Sequence, residues 1–194
     1  MERKRAEYKS SIASKNQLKH AFAELLYQNP INKVTVTAVI AKAGVSRSTF
    51  YAHYNDIDDL LSAIIREESA RIIEITESTG IGNIYLDPKP VLTAIADHLS
   101  ADADYYKKLY LSDKSGEFIT SMKKAMTEKL LSEETTANLK SNNINELKVY
   151  CAFYVSAFLS VIVDRFIGEI DLPRQDMIEI VSSILERSFA PTEK

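Results

Sequence analysis

Tryptophan is missing from this 194-residue chain, and cysteine occurs once, at Cys151. One thiol excludes an intrachain disulfide and a cysteine-based metal cluster. Its place inside an apolar helical run marks it as a buried structural thiol, with a sensing role as the alternative. Glycine and proline are scarce, five of each, while 45% of the residues are hydrophobic, enough to bury one sizeable core or two smaller ones. There is no Gly-rich phosphate loop, no nucleophile elbow and no paired-histidine metal spacing, since His20, His53 and His98 lie far apart. The nearest thing to a ligand cluster, His98 with Asp97, Asp102 and Asp104, reads as a solvated helix end. The expectation is therefore no enzyme, no metal and no cofactor. The greasiest stretch is interrupted by Asp164 and Arg165, and the charged start is no signal peptide, so a soluble cytoplasmic chain without a membrane partner is expected.

Net charge is also small, −3, but unevenly distributed. Residues 1 to 54 hold nine Lys and Arg against three Asp and Glu, a local +6, and the remainder holds 15 against 24, or −9. Neutralising phosphates depends on local rather than total charge, so a basic first quarter on an acidic body fits a polyanion-binding surface. The other reading of Arg3, Lys4, Arg5 and Lys9 is a frayed, solvated tail.

What the chain does have is helical periodicity, with no alternating run that would demand a sheet. Leu18, Phe22, Leu25 and Leu26 predict a first helix over 11 to 28, ended by Asn29-Pro30. Thr35 can cap a short helix over 36 to 43 that Gly44 terminates, and Ser46 can cap another over 47 to 53. A fourth helix opens at Asn55 or Asp56, with Asp58 and Asp59 favourably placed at its positive end. Further helices are expected over 90 to 102, 103 to 112, 114 to 139, 144 to 170 and 174 to 189. The domains divide as 1 to 65 and 66 to 194. From Val149 to Ile167 apolar residues occupy nearly every face, so that helix must be covered all round. With Ile178, Val181, Ile184 and Leu185 on the last helix, it makes either a four-helix dimer interface or a monomer core.

Residues 35 to 54, TVTAVIAKAGVSRSTFYAHY, contain the parts of a helix-turn-helix: a short helix, a glycine-centred turn, and a second short helix with polar side chains outward. Thr35-Val36, Ala43-Gly44-Val45-Ser46, Thr49-Phe50-Tyr51 and His53-Tyr54, followed by Leu60-Leu61, resemble the DNA-binding domain of the tetracycline-repressor (TetR) family over about residues 10 to 65. A two-turn helix fits the major groove of double-stranded DNA. There the Arg47 fork can bond guanine O6 and N7, and Ser48 can reach a base or a phosphate. Ser46 opens the same helix. Thr49, Tyr51 and His53 stand where the resemblance implies backbone contact, while Thr35 and Thr37 can present an amide and a hydroxyl to a phosphate. Lys42 adds charge there or is a solvated lysine. Phe50 alternates with outward neighbours and reads as core.

The resemblance further implies an all-α fold, an N-terminal three-helix helix-turn-helix domain followed by a helical ligand-binding and dimerisation domain. It implies a homodimer through the last two helices on a palindromic operator, and a small-molecule effector that alters operator binding, usually by repression. The aromatic and thioether candidates for that ligand site are Tyr105, Tyr106, Tyr110, Met122, Met126, Tyr154 and Phe158, a stripe whose other reading is plain core. A second reading keeps the DNA-binding head but has the dimer act through another protein, as an activator or architectural factor without a small ligand.

Overall fold

A long first helix is followed by two short ones, and the caps explain why those two are short. The computed structural model describes residues 2–79, 87–132, 136 and 144–189, and the side chains among these except at 2–9, 188 and 189. Among the described residues the elements are α1 (Glu2–Gln28), a 3-10 turn (Ile31–Lys33), α2 (Val36–Ala43), α3 (Arg47–Tyr51), α4 (Ile57–Ser78), α5 (Lys89–Ala101), α6 (Ala103–Tyr110), α7 (Ser115–Leu130), α8 (Ile144–Ile167) and α9 (Arg174–Phe189), with no strand. At the start of α2 the Thr35 hydroxyl accepts from the Ala38 amide at 3.2 Å. At its end Gly44 takes a left-handed conformation, φ 67°, ψ 28°, and its N–H bonds the Ile40 carbonyl. A Cβ there would meet nothing within 4 Å, so the cost of a side chain is conformational. We expect Gly44→Ala to lower stability by about 1 kcal/mol, read as a shift in the urea midpoint at constant slope.

α1 begins nine residues before the expected start at 11. The apolar stripe begins only at Leu18, but the preceding Glu, Arg, Lys and Ala are strong helix formers and extend the helix on propensity alone. α4 has a reciprocal cap: Asp56 accepts from the Asp59 amide at 2.8 Å, and Asp59 accepts from the Asn55 amide at 2.9 Å. The sequence expectation for a helix over 114 to 139 holds as far as Leu130, and most of its remainder lies outside the described residues.

The chain forms two compact units. The first, the head, joins Met1–Glu67 with Asp104–Phe118. Its core holds Leu18 and Phe22 of α1, Val39 of α2, Phe50 of α3, and Leu60 and Ile64 of α4, all 0% exposed. α6 belongs here. Lys108 bonds Glu24 of α1, the Asp113 carboxylate accepts the Ile31 amide at 3.0 Å, and the Tyr105 ring lies 4.8 Å from His20. The hydrogen bond from Lys108 holds the Glu24 carboxyl below its usual range.

The second unit, the body, joins Glu68–Ala103 with Ile119–Lys194. α5 and α9 run antiparallel, bracketed by two surface ion pairs, Asp97 with Arg174 and Lys89 with Glu179. Such exposed pairs fix register more than they stabilise. α8 is the long apolar helix. An 18-residue window in it reaches a mean hydropathy of 1.6, so by length and composition it could cross a membrane, and Asp164 and Arg165 do not prevent this as the sequence reading supposed. Both stand near its end. Its Leu147, Cys151, Val155, Phe158, Leu159 and Ile162 are instead buried within the body.

Candidate nucleic-acid interface

The turn after Gly44 delivers Ser46 to the start of α3, where its Oγ accepts from the Thr49 amide at 3.0 Å. The same hydroxyl lies 2.8 Å from both Ser48 Oγ and Thr49 Oγ1. Three hydroxyls thus cluster at a helix N-terminus, where backbone amides and the macrodipole favour an anion. Phe50 anchors α3 from below, completely buried, with its ring 5.5 Å from Tyr51 edge-on and 5.8 Å from Tyr54. Ile40, where helix-turn-helix units usually keep a small residue, is accommodated half-buried, and the Val45 amide still reaches its carbonyl at 3.2 Å.

Anchoring Phe50 leaves its neighbours outward. Ser46, Arg47, Ser48 and Tyr51 are exposed and Thr49 is half-buried. Arg47 does not wave free: Nη2 donates to the Tyr51 hydroxyl at 3.3 Å, and the guanidinium lies 5.5 Å from the centre of that ring. Holding the fork on an aromatic face reduces the rotamer freedom lost on bonding a base. The i, i+4 spacing that brings the two together is visible in the sequence, where each residue has a separate expected contact.

Thr35 and Thr37 are exposed at the N-terminus of α2. The Thr35 oxygen already accepts from an amide, which leaves its proton for a phosphate. Lys42 is exposed, with Nζ 3.8 Å from Glu24, so part of its charge is spent within the head. His53 is half-buried and hydrogen-bonded at 3.0 Å to Ser14 of α1, a partner that sequence reasoning missed. Burial, and then the Lys15 charge, push its pKa below the ordinary imidazole value, so at neutral pH it is a neutral hydrogen-bonding group, not a cation. Tyr54 lies beneath, 4% exposed, its phenol pushed up to about 12 mainly by burial. The side chains of Arg3, Lys4, Arg5 and Lys9 lie outside the described residues.

The ligand candidates divide. Met126, Tyr154 and Phe158 line an apolar pocket of about 70 Å³ in the body, together with residues of α5 and α9. Tyr105, Tyr106 and Tyr110 do not reach it. They are buried side chains of the head, where Tyr110 packs edge-on against Phe118 at 5.0 Å. Met122 is buried in the body but lines no part of that pocket. An aromatic helix face signals burial, and burial alone does not say against which core.

Residues 20–64 match the family described as bacterial regulatory proteins, tetR family, and residues 87–187, more than half of the chain, match a transcriptional regulator C-terminal region of the same family. The chain belongs to the TetR family. As a TetR-family protein it is a DNA-binding transcriptional regulator and not an enzyme. Among curated relatives it is similar to the HTH-type dhaKLM operon transcriptional activator DhaS of Lactococcus lactis, 21% identical over 155 residues, 79% of each chain. Among solved structures, the dihydroxyacetone kinase operon activator DhaS superposes with a TM-score of 0.64 at 17% identity, covering 94% of this chain and 99% of that one. The fatty acid degradation regulator FadR from Bacillus halodurans gives the same TM-score at 14% identity over 88% and 93%. A TetR regulator from Streptococcus agalactiae also scores 0.64, at 20% identity over 94% and 98%. At these identities the structural likeness establishes the TetR fold and nothing finer.

Proposed function

We propose that this TetR-family regulator binds a palindromic operator as a homodimer and represses from it, releasing it when a small molecule occupies the body. The observation that carries the DNA-binding half is α3: buried Phe50 below, exposed Arg47, Ser48 and Tyr51 above. In this reading Arg47 and Ser48 reach base edges, Thr35, Thr37, Ser46, Thr49, Tyr51 and His53 position the head on phosphates, and Lys42 adds charge. The chain from 66 onward, less the stretch 104 to 118 that belongs to the head, carries sensing and dimerisation in the cytoplasm. α4 runs unbroken from the head into the body and is the element through which an occupied pocket would alter the spacing of two heads.

The dimer rests on the outer faces of the last two helices. Val149 and Phe153 of α8 are 68% and 65% exposed, and Ile180 and Ile184 of α9 are 50% and 52% exposed. Large apolar side chains at i, i+4 on adjacent helices are what a second copy covers in a four-helix interface. We expect Phe153→Glu to weaken dimerisation by tenfold or more, about 1.4 kcal/mol, and operator binding with it. Mass in solution across a dilution series checks this. A dimer unchanged by Phe153→Glu would place the interface elsewhere.

The whole proposal is tested by selecting bound sequences from a random DNA pool with the purified chain. Recovery of a palindrome with half-sites about one helical turn apart supports it. Weak binding without enrichment, dependent on salt alone, counts against it. A second reading is favoured by two observations: relatives named as activators, and a pocket far smaller than the ~300 Å³ usual for drug-sized ligands. There the dimer acts through another protein and needs no small ligand. Transcription in vitro from the selected site separates the two, since added protein lowers it in the first and raises it in the second.

A further inference from the structure

The body pocket has walls that limit what can enter. Its floor includes Ile95 of α5 and Cys151, Val155 and Phe158 of α8, all buried, and Tyr150 and Tyr154 stand half-buried at its rim. The two tyrosine rings are stacked, 6.4 Å apart at 17°. Among the described residues none of the pocket's walls is Asp, Glu, Lys, Arg or His. A carboxylate, phosphate or ammonium group placed there would surrender its water and gain no counter-charge. The volume, about 70 Å³, is under half of the ~150 Å³ of a dry apolar cavity that accepts benzene.

We infer that this pocket takes a small uncharged ligand, apolar where it is buried and about three or four non-hydrogen atoms deep, with room for one hydroxyl or carbonyl near the tyrosine rim. Charged groups and fused rings are excluded from its buried part as it stands. The inference rests on the reading of the body as a ligand sensor, and it names the class of ligand.

Cys151 makes the pocket testable, because it is the sole thiol of the chain and lies in the floor. The probes are three methanethiosulfonates: uncharged n-propyl and cationic 2-aminoethyl, which match in length, and the bulkier anionic 2-sulfonatoethyl. In each case the thiolate attacks the sulfenyl sulfur, a mixed disulfide forms and methanesulfinate leaves, so intact mass reports modification at one atom. The rate on the folded full chain is divided by the rate in denaturant, which removes intrinsic reactivity. The ratio for the propyl reagent should exceed the other two by roughly tenfold or more, because only the charged reagents pay for desolvation in the pocket. Val155→Phe, which fills the floor, should lower the propyl ratio to theirs. Equal ratios for all three reagents on the unaltered chain would overturn the assignment, whether or not that variant folds. Operator affinity of the propyl-labelled chain tests the underlying reading separately. A tenfold loss supports the sensor, whereas selective labelling with unchanged affinity overturns the sensor and leaves the ligand class standing.

Discussion

Alanine in place of Phe50 removes the head's ability to hold α3 and costs about 3–5 kcal/mol of stability, the range for deleting a fully buried phenylalanine side chain. The ring is 0% exposed and touches both Tyr51 and Tyr54, so the void cannot be filled by small adjustments of a surface neighbour. α3 is five residues long and far below the length at which a helix persists unaided, so its geometry depends on this anchor. Thermal unfolding followed by circular dichroism should show an early transition from the head, and operator binding should vanish at temperatures where the body remains helical. Retention of the full melting temperature would mean that α3 is held by its caps.

The second large effect is at the exposed end of the same helix. Arg47→Ala should weaken binding to the selected operator by about 1–3 kcal/mol and flatten the preference at one base pair of each half-site. Tyr51 separates two roles. If it contacts only a phosphate, Tyr51→Phe and Tyr51→Ala weaken all sequences alike. The 3.3 Å bond and the ring under the guanidinium imply more: Tyr51→Ala should also relax preference at the base pair read by Arg47, and Tyr51→Phe, which keeps the ring, should restore most of it. Binding titrations on a half-site library measure both. Identical profiles for Arg47→Ala and wild type would remove Arg47 from base readout.

Local chemistry was the part of this fold most legible in advance. α2 is bounded by a threonine cap and a glycine stop, signals that act within four residues, and it runs over 36 to 43 as the sequence implied. The start of α1 was hidden because periodicity finds only the helix that buries a face. The least legible feature was the company each buried face keeps. Tyr105, Tyr106 and Tyr110 announced burial correctly, but what they pack with is decided by contacts such as Lys108 to Glu24, spanning 84 positions, and Asp113 to Ile31, spanning 82. No short-range pattern encodes such pairings. Met126, Tyr154 and Phe158, by contrast, lie on α7 and α8, whose apolar faces meet around the pocket. The Ser14 to His53 bond, between side chains 39 positions apart, was invisible for the same reason.

Because the head is built from two stretches of chain with Glu68–Ala103 between them, it is not a portable cassette. During synthesis the stretch Asp104–Phe118 emerges only after more than thirty residues of the body, so the contacts it supplies to the first 67 residues form late. A chimera that joins this reading head to a foreign sensor at Glu67 would leave behind Tyr105, Tyr106, Leu109 and Tyr110. Exchanging specificities among such regulators therefore means carrying both stretches, or confining the swap to the outward side chains of α3.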